Sequence, residues 1–370
     1  MRITWTSAKK QPGDGDRQLS KRLELDGGAQ PSCVFAFVAA EQDLDQLGTE
    51  LAALKVPVVG CTTAGQIGSC GFEVGDVTAA AVFDDLQVRS FLIRSLTELD
   101  ASLTVTVAEV RASGVLDSTD VSVFGLVLVD GLASAEERLM VSLYDALPGL
   151  PLAGGSAADN LTFTETRVYH DGRFLRDAGV LHVFTTRRKV APLKLQHHVP
   201  TEQRMVITSA TPSKRTVHEI NGQRAVDAYA EAIGVPVDEL TDAVIASRPL
   251  ILRVGDDHYI RSVRAIREDG SLELFCAIEQ GLVLRLGRNV GILEALETAF
   301  ARAAAAVGEP VLVIGMDCIL RRLEIARASL TGEVGQFLSS KHVIGFSTYG
   351  EQFNYMHANQ TFTGFMVGGL

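Results

Sequence analysis

Val58-Val59-Gly60-Cys61-Thr62-Thr63-Ala64-Gly65-Gln66 decides the fold, because its central pattern is used three times in one chain. The second copy is Gly154-Gly155-Ser156-Ala157-Ala158-Asp159-Asn160, and the third is Gly345-Phe346-Ser347-Thr348-Tyr349-Gly350-Glu351. The shared form is G-x-[ST]-[TA]-x-[GD]. Between the first and third copies Gly60 matches Gly345, Thr63 matches Thr348 and Gly65 matches Gly350, with Ser347 in the place of Thr62.

The surroundings of the loop also recur. Cys33–Ala39 (CVFAFVA) is an apolar run bounded by polar residues, which reads as a buried strand. Leu44, Leu47, Leu51 and Leu54 follow at helical spacing, a short strand over 57–59 enters the loop, and Val77–Phe83 (VTAAAVF) is the next strand. The order returns as a strand over Ser122–Val129, a helix over 135–147, a short strand over 150–153, the loop and a strand over 179–184. It returns again as a strand over 310–314, a helix over 319–330, residues 342–344, the loop and a closing strand over 361–367. This pattern predicts an α/β fold of repeated strand-helix-strand units, with the loop at the carboxyl end of each unit's second strand. Successive N–H groups in such a turn can cradle an anion, and ligands of open α/β sheets favour this end. Gly60, Thr63, Gly154, Ser156, Gly345, Thr348 and Gly350 are therefore candidate binding positions. The alternative for each loop is a tight turn packed against its neighbours.

A different pattern separates the second and third units. Residues 218–222 read as a strand and turn and 225–233 as a helix. Residues 251–254, 259–266 and 272–277 alternate like antiparallel strands, and 287–306 is an Ala-rich helix. Residues 189–214, which contain Pro192, Pro200 and Pro212, are the expected boundary. The expected organisation is an N-terminal strand and loose connection over 1–30, a first domain over 31–205 and a second over 206–370.

Composition narrows the function. The 370 residues are 46% hydrophobic and 21% charged, ordinary globular usage. The net charge of −11 argues against a nucleic-acid partner, which would need a field of Lys and Arg. No run of about 18 apolar residues and no N-terminal apolar leader is present, so a cytoplasmic protein without a membrane partner is expected. Five cysteines at 33, 61, 70, 276 and 318, with no C-x-x-C, read as free thiols in a reducing compartment and not as disulfides or a zinc site.

The stretches 58–66, 154–160 and 345–351, followed by Asn359-Gln360-Thr361, resemble the FIST sensory family, which has a FIST N and a FIST C domain. His218-Glu219-Ile220-Asn221-Gly222 with Ala225-Val226-Asp227-Ala228-Tyr229 is similar to the start of the C-terminal domain. Arg261-Ser262-Val263 and Gly281-Leu282 look like its middle. The ending, Tyr349 to Phe353 and then His357 to Thr363, is similar to the standalone nitric-oxide-sensing haem proteins of the family, the NosP-like group. That resemblance implies haem b and nitric oxide as ligands. It also implies a separate histidine kinase or cyclic-di-GMP enzyme regulated in trans, and it is compatible with a homodimer. A sensor and not an enzyme is expected.

Haem chemistry then selects among the residues. An axial ligand, an apolar slot and cations for the propionates are needed, and the absence of C-x-x-C-H excludes covalent attachment. His357, with Phe353, Tyr355, Met356, Phe362 and Phe365 nearby in sequence, is the first candidate iron ligand, and His182 is the second. Arg261, Arg264 and Arg285 are candidate carboxylate partners, and Tyr259 shares a strand face with Arg261. Two other readings stay open. One is a sensor of a small metabolite such as an amino acid, bound through the glycine loops and an arginine. The other is a hydrolase using Cys61, whose Gly-turn could supply N–H donors. Asp159 and Glu351 could pair as carboxylates if their loops meet.

Overall fold

The computed structural model describes residues 1–8, 19, 23, 30–83 and 85–369, so most of the loose connection expected before residue 30 lies outside the described residues. The first unit comprises β1 (Arg2–Ala8), β2 (Cys33–Ala39), α1 (Leu44–Ala53), β3 (Val58–Thr63), a hairpin of β4 (Gln66–Gly68) and β5 (Gly71–Glu73), and β6 (Val77–Phe83). The second comprises β7 (Gln87–Ile93), α2 (Leu99–Ala112), β8 (Ser122–Val129), α3 (Glu136–Ala146), β9 (Leu152–Ser156), a hairpin of β10 (Val168–His170) and β11 (Arg173–Leu175), and β12 (Gly179–Thr186). The third opens with β13 (Val190–Gln196) and is then interrupted.

The insertion runs through β14 (His198–Thr211), β15 (Thr216–Ile220), β16 (Gln223–Arg224), α4 (Ala225–Ile233), α5 (Asp242–Ser247), β17 (Leu250–Val254), β18 (Asp257–Arg261), β19 (Val263–Ile266), β20 (Leu272–Leu274) and β21 (Val283–Asn289). It forms an antiparallel sheet around its own core, which includes Met205, Ile207, Tyr229, Leu250 and Leu284. The third unit resumes with α6 (Ile292–Val307), β22 (Pro310–Cys318), α7 (Ile319–Arg327), α8 (Thr331–Ser340), β23 (Val343–Thr348), a hairpin of β24 (Glu351–Phe353) and β25 (Met356–Ala358), and β26 (Thr361–Gly368).

The mixed α/β class and the repeated units are as the sequence predicts. The long Ala-rich helix starts later than predicted. Gly291 takes φ +101° and its N–H is held by the Asn289 side chain, so residues 283–289 stay extended as β21. The proline-bearing segment 189–214 folds into β13 and β14. Pro192 is tolerated because β13 lies at a sheet edge, and Pro200 stands at a register shift.

Each unit's sheet has one plan. An outer strand pairs with the closing strand, which pairs antiparallel with the first central strand, which pairs parallel with the second. The last positions are filled from another unit. The first sheet takes β10 and β11 from the second unit, the second takes β24 and β25 from the third, and the third takes β4 and β5 from the first. The exchange is cyclic, and the repeated loop is the crossover that carries it.

The glycine that opens each loop permits this path. A Cβ on Gly60 would collide with the carbonyl oxygen of Ala36, one on Gly154 with that of Val127, and one on Gly345 with that of Gly315. In each case the carbonyl belongs to the residue's register partner on the neighbouring parallel strand. Beyond these glycines the inner faces of the three sheets meet in one core. Phe37 packs on Phe346 at 4.7 Å, Phe124 on Phe365 at 4.6 Å and Phe35 on Phe184 at 6.0 Å, so every sheet contacts both others through a phenylalanine pair. Outward residues pack under helices, as Leu47 and Leu51 of α1 do against Val34, Ala36 and Val38.

Gly345→Ala is expected to lower stability by about 2 kcal/mol or more, because backbone and not a flexible side chain must move. Gly332→Ala, whose Cβ would meet nothing within 4 Å, serves as the control and should leave the thermal midpoint unchanged or raise it. Equal midpoints for the two variants would contradict the close-approach argument.

Candidate functional site

The three loops close on one another. Ala64 N–H donates to the Ser347 carbonyl at 3.1 Å and Ser347 N–H to that of Gly65 at 2.7 Å. Ser156 N–H donates to the Gly350 carbonyl at 2.9 Å, and Ala158 N–H to that of Thr62 at 2.9 Å. Thr63 Oγ1 donates to the Val38 carbonyl at 3.0 Å, and Thr348 Oγ1 to the carbonyls of Ser156 and Gly350 at 2.7 and 2.8 Å. These donors are spent within the protein, and the residues around them are buried. The tight-turn alternative therefore describes the loop backbones, and a ligand must be sought beside them.

Asp159 and Glu351 do not pair although their loops meet. Asp159 accepts from Tyr349 Oη and from the backbone N–H groups of Phe163, Thr164 and Glu165. Burial raises its carboxyl, but these donors outweigh it and hold the group down at about 2. Glu351 is fully buried and accepts from Thr361 N–H at 3.1 Å and Thr361 Oγ1 at 2.6 Å. Burial pushes it up to about 8. Cys61 faces the central core with no exposed surface, and burial lifts its thiol well above its ordinary value, which opposes a nucleophile there.

Two features lie at the carboxyl end of the strands, where the insertion sits against the units. The first is a cleft of about 290 Å³. Leu161 and Phe163 from the second unit, Ile245, Ser262 and Phe275 from the insertion, and Leu320 and Leu323 of α7 wall it. Arg264, Arg327 and Asp242 bring charge to it. Arg264 also pairs with Glu273 at 3.1 Å and lies over the Phe163 ring at 5.0 Å. Ser262 Oγ and Gln360 Oε1, on two buried lining residues, have no protein partner.

The second feature is a buried polar cluster behind that wall. His357 of β25 lies beside Cys276, which follows β20, and beside Glu137 at the start of α3. Glu137 accepts from Ala277 N–H at 2.6 Å and pairs with Arg215 at 2.7 Å, and Arg215 also reaches Glu136 at 3.2 Å. Ser156 Oγ donates to Glu136 at 3.3 Å, and Gln352 Nε2 lies 3.1 Å from Ser156 Oγ and 3.3 Å from His357 Nδ1. The Cys276 thiol donates to Asn359 Oδ1 at 2.8 Å. Burial would push the imidazole of His357 down, but the facing Cys276, Glu137 and Glu136 lift it to about 10.

Among the predicted residues the structure brings Ser156, Gly350, Arg261 and His357 together. Gly350 lies against the imidazole, and Arg261 donates to the His357 carbonyl at 3.2 Å. Gly60, Thr63 and Gly154 serve the loop ring and sheet contacts instead. Tyr259 is buried under Lys194, whose Nζ stands 4.0 Å from its ring centroid. Arg285 binds Thr201 and Glu202 at 3.0 and 3.2 Å. His182 is fully buried in β12 with Nδ1 2.8 Å from Ser90 Oγ, and burial pushes it down to about 3.

The apolar surround predicted for His357 is dispersed. Phe362 joins the helix-side core of the third unit and Phe365 the central core, while Tyr355 donates to the Leu147 and Leu150 carbonyls. The imidazole is walled by Gly350, Gln352, Cys276 and Glu137, and it does not line the 290 Å³ cleft. These residues do not fit a haem, which needs a flat apolar slot at the iron ligand. Sequence reasoning missed Glu136, Glu137, Arg215, Cys276 and Gln352. The adjacent acids at the entry to a predicted helix, just beyond the strand Ser122–Val129, were the one available signal.

A family model described as the FIST N domain matches residues 32–223, just over half of the 370-residue chain, and one described as the FIST C domain matches 225–354. No curated protein matches the chain. No helix among the described residues is long and apolar enough to cross a membrane.

Glu351 gives a pH test of this geometry. Its folded-state value of about 8 lies above the ordinary 4.5, so the folded chain keeps a proton that the unfolded chain loses. The contribution is fully present below pH 4.5 and is lost as pH rises towards 8. Glu351→Gln should leave the thermal midpoint unchanged near pH 4 and raise it near pH 8. A midpoint difference independent of pH would contradict a protonated buried Glu351.

Proposed function

We propose that this chain, which belongs to the FIST family, senses a small anionic metabolite of the amino-acid class in the cleft between the insertion, the second unit and α7. FIST N and FIST C domains are sensor domains of signal transduction. The observation that carries the reading is the lining of the cleft. Apolar walls from Leu161, Ile245, Leu320 and Leu323 accept a short side chain, Arg264 and Arg327 meet a carboxylate, and Asp242 meets an ammonium group. Gln360 Oε1 and Ser262 Oγ, which lack protein partners, are available to a polar ligand. The cleft is bounded by three separate parts of the chain, so an occupant would favour the arrangement in which they are closed together. The output in this reading is exerted in trans on a histidine kinase or cyclic-di-GMP enzyme, and the protein itself is not an enzyme.

Haem with nitric oxide is the competing ligand reading, and it rests on the resemblance of the ending around His357. Its spectrum separates the two. Thermal shift across free amino acids and small carboxylates should find a class that raises the midpoint, because a ligand at 100 times its Kd adds about 2.7 kcal/mol. Arg327→Ala, with Arg264→Ala beside it, should weaken that ligand by roughly tenfold or more. No stabilising compound, or undiminished affinity in both variants, would overturn the cleft assignment. A stoichiometric Soret band with haemin that is lost in His357→Ala would favour haem instead.

A further inference from the structure

Glu137, Cys276 and His357 reach one point from three parts of the chain, and a donor atom from each lies within 4.8 Å of the other two. Glu137 lies in the first turn of α3 of the second unit, Cys276 belongs to the insertion, and His357 sits on the hairpin that the third unit lends to the second sheet. We propose that these three side chains hold a divalent transition-metal ion of the zinc class, which clasps the insertion to the units beneath it.

The donor set argues for that class of ion. Thiolate, imidazole and carboxylate together suit zinc and its neighbours, whereas magnesium and calcium take oxygen donors. Glu136 and Glu137 bring two carboxylates to the cluster, and Arg215 is shared between them, so Glu137 is not neutralised by a cation of its own. Both oxygens of Glu137 retain a lone pair beside the Ala277 N–H and Arg215 contacts.

The flanking amides supply an independent sign. Gln352 Oε1 and Asn359 Nδ2 are buried without partners. An amide's oxygen and nitrogen ends are interchangeable by a half-turn. Turned, Asn359 presents its N–H to the sulfur of Cys276, and Gln352 presents its oxygen to His357 Nδ1–H, freeing Nε2 for a metal, at the expense of its own bond to the Gly350 carbonyl at 3.3 Å. Both are the forms that ligation requires. Ligation takes a thiolate from Cys276 and a neutral imidazole from His357, so binding releases the thiol proton. The second His/Glu cluster, His197, His198 and Glu324, is a poorer host. His197 already uses Nε2 on Glu324 at 2.7 Å and meets the Arg321 guanidinium at Nδ1 at 3.3 Å.

Cobalt titration of the metal-stripped, full-length chain tests the assignment. The expected result is saturation at one equivalent, with a thiolate-to-cobalt charge-transfer band that added zinc abolishes. One equivalent of zinc, and not of magnesium, should raise the thermal midpoint. Cys276→Ser, His357→Gln and Glu137→Gln should each weaken cobalt binding at least tenfold, while Cys70→Ser, which alters the exposed thiol, should keep the band. If those variants misfold, alkylation of the wild-type chain in partial urea should show Cys276 protected by zinc. No charge-transfer band at one equivalent, a band that survives Cys276→Ser, or a Cys276 that zinc leaves unprotected would overturn the proposal.

Discussion

Three glycines lying over three backbone carbonyls are the contact on which the rest of the structure depends. Gly60, Gly154 and Gly345 let the second strand of each unit press against its parallel neighbour and then turn away into another unit's sheet. No side chain larger than hydrogen fits there without shifting backbone. The hairpins that follow are only three residues per strand, too short to be stable alone, and each is stabilised by the sheet it completes. Removing one unit would therefore open the sheet edge of another, and the units stand or fall together.

The same exchange decides where a ligand can lie. Because the crossovers pass close to one another, their N–H groups find carbonyls on neighbouring loops and are no longer open to an anion. Serine and threonine hydroxyls are used in the same way. The open cleft lies further out, just beyond the crossovers, where Leu161, Phe163 and Gln360 meet the insertion. That cleft is at the carboxyl ends of the strands, where open α/β sheets commonly bind ligands, and side chains of the insertion line it in place of loop backbone.

The repeated units were legible in the sequence because their evidence is local. Cys33–Ala39, Ser122–Val129 and Val77–Phe83 are apolar runs, and a glycine-rich loop after each short second strand marks its end. The sheet exchange was not legible, since a strand such as Gln66–Gly68 has no periodicity to read and its partners Gly345 and Phe346 are remote in the chain. His357 was singled out as an iron ligand in an apolar surround, and the structure buries it among polar groups instead, so its neighbours in sequence were poor guides to its neighbours in space. Alternation along β26 sends Phe362 and Phe365 to opposite faces, while Cys276 and Glu137, remote in sequence, supply its actual surroundings.

The contrast between the two kinds of packing bears on how such a protein could switch. The central core joins the three sheets through apolar contacts and phenylalanine pairs. The insertion meets the units through Arg215 on Glu136 and Glu137, Arg261 on the His357 carbonyl and Cys276 on Asn359, with Gln352, Asn359, Gln360 and Ser262 each leaving a buried polar atom unpaired. Unpaired buried groups make that junction less well satisfied than the core, so rearrangement there costs less than separating the sheets. The cleft and the polar cluster are joined by chain as well as by space. Phe275 lines the cleft beside Cys276, and Gln360 lines it beside Asn359. Phe275 and Cys276, and Asn359 and Gln360, are chain neighbours, so the wall of the cleft and the Cys276–Asn359 hydrogen bond share the same two stretches of backbone.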